Sequence, residues 1–224
     1  MITTDHIRLF NRFLNLCEND NCSPENDYKS VYRYKDGNNN RRQVTLGKGF
    51  TEDGGNLGKV LDQYFISGGT SEVLKSQIPN VGRGVLAGDM DFCKALSAAS
   101  SEQAMKDAQD RVFLAAYLNP ALAWAQREGF KLPLSYGVAV DSYLHSGKMS
   151  APLVASFAEK TPAHGGDEKR WMIAYLNARK AWFTRSTGDL HTCIFRPKFF
   201  LGEIAQGNWN FDCPMTIPEK GKIC

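Results

Sequence analysis

The chain has 224 residues, of which 42% are hydrophobic and 23% charged, so it can bury a sizeable core and intrinsic disorder is excluded. Its net charge is only +3 and the basic residues are spread along the chain, so nucleic-acid binding is not supported. No stretch approaches the roughly 18 to 20 uninterrupted apolar residues of a membrane span, so membrane insertion is not expected. The opening residues lack a basic start, a continuous apolar run and a small-residue cleavage site, so they predict part of the fold rather than a signal peptide.

The first predicted element is an amphipathic helix. Its cap is Thr3 or Thr4, and Glu18 lies at its end. The prediction depends on apolar residues that recur at intervals of three and four: Ile7, Phe10, Phe13, Leu14 and Cys17.

Between Lys29 and Leu46 the pattern changes to strand-like alternation. Two short runs, VYRY and QVTL, flank Asp36-Gly37 and three asparagines. Turn-forming residues between two such runs predict a β-hairpin with a polar turn.

The rest of the chain returns to helical periodicity, punctuated by glycines and prolines. With no internal repeat and no long linker, residues 1–224 are expected to form a single domain. The predicted fold class is α+β, mainly α, with one small hairpin near the N-terminus. The later helical segments begin with the Leu57 to Phe65 stripe and continue over Phe92 to Ala99, Met105 to Gln126, Tyr136 to Leu144, Leu153 to Phe157, Arg170 to Phe183 and Phe199 to Ile204.

The histidines and cysteines do not predict a metal site. The four histidines lack paired metal-ligand spacing, so each is expected at the surface or as a cap, and no cofactor is expected. The six cysteines contain no C-x-x-C pair, and both disulfides and free buried thiols stay open.

Two carboxylic acids could carry glycoside hydrolysis. That reaction needs one protonated acid for the leaving oxygen and one carboxylate that activates water or attacks the sugar. Glu18 at a helix end and Asp36 in the adjacent hairpin turn can meet this need if the hairpin folds against the helix. Spacing alone does not decide it, because 24 acidic residues offer many pairs and most acidic residues are solvated surface charges.

The segment CENDNCSPENDYKSVYRYKDG, followed by QVTLGKGF, resembles the catalytic signature of the glycoside hydrolase family 46 chitosanases and their lysozyme-superfamily relatives. Later segments around DAQDRVFLAAYLNP, LPLSYGVAVDSYLHSG and DEKRWMIAYLNARKAWF resemble further helices of that family in the same order. The resemblance implies a lysozyme-like, two-lobed fold. The matching residues of the signature are Glu18-Asn19, Tyr34, Asp36-Gly37, Val44-Thr45 and Gly49-Phe50.

The resemblance also implies roles for single residues. Glu18 resembles the general acid, Asp36 the general base and Thr45 the residue that helps to hold the attacking water, while Tyr34 is expected to bind substrate. The family mechanism inverts the anomeric carbon, which needs carboxyl groups about 6.5 to 9.5 Å apart.

A second set of residues resembles the buried ion network that tunes the acid in this family. These are Asp141, Arg179 and Arg196. An acid that stays protonated near neutral pH needs surroundings that favour its uncharged form, and a fixed charge network can supply them. A plain core salt bridge is the alternative interpretation.

The sequence departs from the family pattern at two places. Eight residues separate Asp36 from Thr45, four more than in the family's Asp-Gly-Arg-Gly-Tyr-Thr, which puts the role of Thr45 in doubt. Where chitosanases carry an acid that grips a glucosamine ammonium, this chain has Asn56, and it adds Arg41 and Arg42. Asn56 and Arg42 are expected to bind substrate. A cleft with less negative charge suits sugars that bear carboxylates, as in peptidoglycan.

The first hypothesis is therefore an inverting, lysozyme-like muramidase that cleaves peptidoglycan. Relatives of this kind include antibacterial effectors of type VI secretion, which implies delivery to the periplasm of a target bacterium without a signal peptide and an immunity protein as partner. The alternatives are a chitosanase that uses the same Glu/Asp pair, and an inactive relative that only binds glycan or a partner protein.

Overall fold

The computed structural model describes residues 2–20 and 28–224, in which helices dominate and strands are short. The chain divides into two compact units: the larger unit contains residues 1–17 and 117–224, and the hairpin unit contains residues 18–116. The predicted fold class, α+β and mainly α, is confirmed. Within the described ranges, no helix combines the length and apolar character that crossing a bilayer requires. One domain over residues 1–224 stays a prediction.

The predicted N-terminal helix is α1, Thr4–Asn19. Its cap is Thr3, whose hydroxyl accepts a hydrogen bond from the backbone N–H of His6 at 3.3 Å. The predicted apolar stripe is buried, with Phe10 and Phe13 only 1% exposed. Glu18 therefore lies in the last turn of the helix, as predicted.

The hairpin unit contains one antiparallel sheet with the order β1-β2-β3. Its strands are β1 (Val31–Tyr34), β2 (Gln43–Leu46) and β3 (Phe50–Thr51). The sequence predicted the first two strands. It missed β3 because two residues are too few for alternation to show.

The polar turn between β1 and β2 forms one 3₁₀ turn, Asn38–Asn40. Asn39 and Asn40 have φ angles of 57° and 58°. Asparagine adopts this left-handed conformation more readily than most residues, which explains why an asparagine run stands here.

Helices complete the hairpin unit. Four residues of the predicted stripe, Leu57, Val60, Leu61 and Tyr64, are buried, and Phe65 at its end is half-buried. The helices are α2 (Leu57–Ile66), α3 (Glu72–Gln77), α4 (Met90–Ala99) and α5 (Gln103–Phe113), with 3₁₀ turns at Ile78–Asn80 and Leu86–Gly88.

The helix predicted over Met105 to Gln126 is interrupted. After α5 the backbone makes a π-helical turn, Leu114–Leu118, and then continues as α6, Asn119–Arg127. Pro120 lacks an N–H and its ring crowds the carbonyl four residues earlier, so the wider turn relieves a clash that an unbroken α-helix would have.

The larger unit is mostly helical. A two-stranded sheet near its C-terminus is closed by a disulfide between Cys213 and Cys224. The helix predicted over Leu153 to Phe157 is shorter than expected. The elements are α7 (Pro133–Ser146), α8 (Ala151–Val154), α9 (Glu168–Arg185), α10 (Asp189–Thr192), α11 (Phe195–Ala205), β4 (Thr216–Ile217) and β5 (Gly221–Lys222).

Aromatic side chains fill the core of the larger unit. Phe13 stacks on Phe199 with ring centroids 5.0 Å apart, and Trp171 stacks on Tyr175 at 5.4 Å. Gly137 of α7 allows close packing here, because a Cβ atom on it would lie 3.1 Å from the Phe10 ring. Trp171 is 1% exposed, so it serves the core rather than a sugar.

Candidate functional site

Glu18 lies beside the turn that joins β2 to β3. Its Oε2 atom is 3.8 Å from the position that a Cβ atom on Gly49 would take. Gly49 has a φ of 86°, a left-handed conformation that the turn needs and that glycine adopts without strain. The Glu18 side chain is half-buried, whereas Cys17 before it is buried.

Asp36 lies two residues beyond the end of β1 and is exposed. Its Oδ1 atom accepts a hydrogen bond from Nε2 of Gln43 at 3.1 Å. Gln43 is the first residue of β2 and is only 4% exposed. Asp36 and Glu18 therefore flank strand β2, Asp36 at the Gln43 end and Glu18 at the Gly49 end.

One face of the sheet carries the other residues expected near the reaction. The β1–β2 register places Tyr32 opposite Thr45 and Tyr34 opposite Gln43, and side chains opposite each other in an antiparallel pair share a face. Tyr32 stacks on Tyr34 with centroids 5.3 Å apart, and Tyr34 is 56% exposed. This surface suits stacking against a sugar ring.

Thr45 lies in the middle of β2, two residues after Gln43 and on the same face. Its hydroxyl oxygen is buried and has no hydrogen-bond partner among the described residues. Buried hydroxyl groups are normally satisfied, so this one retains the capacity to bind a water or a substrate hydroxyl. The longer hairpin has not moved Thr45 out of the sheet.

The extra residues of the hairpin turn are held by Asp53. Its Oδ2 atom accepts hydrogen bonds from the Arg41 Nε at 2.9 Å and from the Asn38 backbone N–H at 2.8 Å, and Arg41 also reaches the Gly82 carbonyl at 2.7 Å. The hydrogen bond from Arg41 lowers the pKa of Asp53, with burial opposing it. Gly37 is required here, because a Cβ atom would lie 2.6 Å from that carboxylate.

The pairing of Arg41 corrects part of the charge argument made from the sequence. Arg41 was expected to add positive charge for an anionic substrate, but its guanidinium group is paired with Asp53. Arg42 is exposed, and its Nη1 donates to the Arg33 carbonyl at 3.2 Å. Arg42 as a substrate-binding residue stays a prediction.

Asn56 lies immediately before α2 with a φ of 68°, a conformation that asparagine tolerates. Its backbone bridges that of Thr51. Gly55 makes this approach feasible, because a Cβ atom on it would lie 1.7 Å from the Thr51 hydroxyl. The backbone conformation thus explains asparagine at position 56, besides its predicted role in substrate binding.

The predicted ion network exists in the larger unit. Asp141 accepts hydrogen bonds from Arg179, through Oδ2, and from Arg196, through Oδ1 at 2.6 Å. Asp141 and Arg179 are fully buried and Arg196 is 2% exposed. Burial would raise the pKa of Asp141, but the two guanidinium groups outweigh it and the pKa is lowered. Its tuning of the acid stays a prediction.

His145 joins this network. It lies half-buried in the last turn of α7, and its ring packs edge-on against Phe183 with centroids 5.3 Å apart. Burial, and then the charges of Arg196 and Arg179, lower the pKa of His145 to about 3, so the imidazole is neutral at physiological pH.

Sequence reasoning missed Gln43 and Asp53 among the residues that support the site. Gln43 was assigned to a strand without a role, although a glutamine two residues before Thr45 must share its face of the sheet. Asp53 gave no local signal, because its partners lie 12 and 15 residues earlier in the chain.

Comparisons with known proteins bear on the family and the fold of this chain. The sequence profile of glycosyl hydrolase family 46 matches residues 14–215. A chitosanase from Bacillus subtilis (strain 168) is 27% identical over 175 residues, which cover 71% of this chain and 61% of that protein. The aligned region thus spans about three fifths of that relative's length.

Two solved structures are similar in fold. Native chitosanase from Bacillus subtilis MY002 has a TM-score of 0.84 at 22% identity, covering 99% of this chain and 98% of that one. The Gynuella sunshinyii family 46 chitosanase in complex with chitotetraose has a TM-score of 0.84 at 22% identity, covering 96% of this chain and 94% of that one. At this identity the likeness concerns the fold.

Proposed function

We propose, from the premise that the chain belongs to glycosyl hydrolase family 46, that it hydrolyses β-1,4 bonds of an amino-sugar polysaccharide by inversion. The family is one of glycosidases, so the general class predicted from the sequence, a glycoside hydrolase, is confirmed at that level. The observation that carries the mechanism is the placement of two carboxyl groups in different settings at the two ends of β2.

Glu18 is proposed as the general acid. It lies in the last turn of α1, which has no basic residue, and the C-terminal end of a helix carries partial negative charge. A carboxylic acid here can give its proton to the glycosidic oxygen as the bond to the anomeric carbon breaks.

Asp36 is proposed as the general base. The hydrogen bond from Gln43 holds one carboxylate oxygen of Asp36, and the other oxygen can take a proton from water while that water attacks the anomeric carbon from the opposite face. An inverting mechanism needs room for this water between acid and base, with the two carboxyl groups about 6.5 to 9.5 Å apart. The Thr45 hydroxyl is available to help hold that water.

Chitosan is the first candidate substrate. The Bacillus subtilis relative and both structural neighbours are named as chitosanases. The exposed Tyr34 offers a stacking surface for a sugar ring, which both candidate polymers could use.

Peptidoglycan is the second candidate, and Asn56 favours it. A neutral side chain in place of the family's acid cannot pair with a glucosamine ammonium group, whereas N-acetylated sugars carry no such cation. The pairing of Arg41 with Asp53 weakens this candidate, because one of the two added positive charges is neutralised within the protein.

Delivery into a rival bacterium belongs to the peptidoglycan candidate. A muramidase of this kind would act as a type VI secretion effector in the target periplasm and would be countered by an immunity protein. The Cys213–Cys224 disulfide is compatible with an oxidising compartment such as the periplasm.

The test compares wild type with Glu18→Gln on purified chitosan and on peptidoglycan sacculi, with released fragments identified by mass spectrometry. Glu18→Gln should lower turnover by about 10²- to 10⁴-fold without loss of glycan binding, because only the transferable proton is lost. Glu72→Gln, at an exposed glutamate of the same unit, is the matched control and should retain wild-type turnover.

The pattern of products separates the candidates. Chitosan oligomers alone identify a chitosanase, and muropeptides alone identify a muramidase. Saturable glycan binding with no product from wild type would contradict hydrolysis and indicate an inactive, binding relative. Wild-type turnover by Glu18→Gln would contradict the assignment of the acid.

A further inference from the structure

Gln43 connects the proposed base to the far side of the sheet. Its Nε2 donates to Asp36 Oδ1 at 3.1 Å, and its Oε1 accepts from the Asp53 backbone N–H at 2.9 Å. Gln43 is on the central strand, Asp36 follows β1 and Asp53 follows β3. One buried amide thus spans all three strands.

The orientation of that amide is determined by its second partner. A backbone N–H can only donate, so the oxygen of the Gln43 side chain must face Asp53. The NH₂ group must then face Asp36. The carboxylate of Asp36 therefore receives a hydrogen bond from a donor whose direction is fixed.

The backbone positions that hold Gln43 are themselves fixed. The β1–β2 register pairs Gln43 with Tyr34, two residues before Asp36. Asp53 is held through its carboxylate by Arg41 and by the Asn38 N–H. The charges of Arg41 and Asp53 offset each other. The group that hydrogen-bonds Asp36 directly is the neutral side-chain amide of Gln43.

We propose that Gln43 is a positioning residue that holds and aims the carboxylate of Asp36 during catalysis; this rests on the proposed role of Asp36 as general base. The hydrogen bond holds Oδ1 and leaves Oδ2 to accept the proton of the attacking water. In the family signature a glycine precedes the aromatic residue and Thr at this place, so Gln43 is a feature of this chain's longer hairpin.

Two substitutions separate positioning of Asp36 from simple support of the sheet. Gln43→Glu keeps an oxygen for the Asp53 N–H but places a second carboxyl group against Asp36. Gln43→Met keeps the side-chain length but loses both hydrogen bonds. Gln109→Met is the control, because Gln109 is a buried glutamine of the same unit that donates to the Tyr28 carbonyl.

The first measurement is the pH dependence of kcat and KM on whichever polysaccharide the wild type cleaves. Gln43→Met should lower kcat roughly 10- to 100-fold with little change in KM, since a hydrogen bond to a charged group is lost. The acidic limb of the kcat/KM profile should move up by about one pH unit, because the base then ionises less readily. Gln43→Glu should move it at least as far, because two facing carboxylates repel.

The second measurement is independent of activity. Nuclear magnetic resonance of ¹³C-labelled aspartate follows the titration midpoint of the Asp36 carboxyl group in each variant, and circular dichroism checks folding. The midpoint should rise in both Gln43 variants and stay at the wild-type value in Gln109→Met.

The proposal would be overturned if Gln43→Glu kept the wild-type kcat, the wild-type acidic limb of kcat/KM and the wild-type titration midpoint of Asp36. That result would mean that Gln43 serves only to support Asp53. Equal midpoints in all three variants would overturn it as well. If wild type cleaves neither polysaccharide, the proposed function fails. Gln43 then positions no catalytic base, even where the titration midpoint of Asp36 still responds to the Gln43 variants.

Discussion

Arginine holds a carboxylate in both units of this protein, but in two different settings. In the hairpin unit the Asp53 side chain is 3% exposed and its partner Arg41 is 33% exposed. In the larger unit Asp141 and Arg179 are both 0% exposed, and Arg196 joins them at 2%. The arginine of the Arg41–Asp53 pair is accessible to solvent, whereas the Asp141 group is buried.

The difference in solvent exposure explains what each group contributes to stability. A solvent-accessible arginine gains little net energy from its partner, so the Arg41–Asp53 pair mainly orders the turn that it closes. Buried charges stabilise only while all their partners are present, because each has lost its hydration. Arg179 illustrates this cost: its Nε and Nη2 have no hydrogen-bond partner among the described residues, although its guanidinium lies 5.4 Å from the Phe183 ring centroid.

Breaking the buried group should have the largest effect on stability. Asp141→Asn leaves two buried guanidinium groups without their anion, and we expect the free energy of unfolding to fall by about 3–5 kcal/mol. Urea unfolding followed by tryptophan fluorescence measures this. Asp5→Asn, in the exposed pair with Arg8, is the control and should change nothing measurable. A loss below about 1 kcal/mol for Asp141→Asn would contradict the comparison.

Breaking the hairpin pair should have a smaller, more local effect. Asp53→Ala removes the acceptor of the Asn38 N–H and of Arg41, and we expect the free energy of unfolding to fall by less than in Asp141→Asn. Hydrogen exchange should accelerate at the backbone amides of residues 37–41 and not in α9. Unchanged exchange in the turn would show that Asp53 does not order it.

The third prediction uses pH to distinguish the two settings. His145 has a folded pKa of about 3 and an unfolded pKa of about 6.5, so between these values the unfolded chain binds the extra proton. Stability should therefore be highest above pH 6.5 and fall toward pH 3, with a slope of at most about 1.4 kcal/mol per pH unit from this residue. Asp53 has a lowered pKa, so its contribution is lost only as pH falls below the ordinary aspartate range.

His145→Gln removes this proton and serves as the test. Urea midpoints of the variant between pH 6.5 and 4.5 should depend less on pH than those of wild type. Identical slopes would mean that His145 stays exposed enough to be protonated in the folded protein.

Much of the fold could be predicted from local patterns. Apolar spacing identified α1, α2 and α9, and alternation identified β1 and β2. The prediction failed where the signal was too short or was overridden: β3 has two residues, and Pro120 opened a π-helical turn inside an apparently continuous helix. Neither feature changes the spacing of apolar residues from which helices and strands are predicted.

The candidate site divides in the same way. The sequence by itself predicted which residues carry the chemistry, since Glu18, Asp36 and Thr45 stand in a recognisable order, and it determined the members of the Asp141 network, which the structure brings together. Only the tertiary structure decided which charges are already paired and which neighbours act on the base. Arg41 pairs with Asp53, and Gln43 bridges Asp36 and Asp53, so these contacts join segments next to all three strands. Such contacts depend on strand register and turn geometry rather than on residue type.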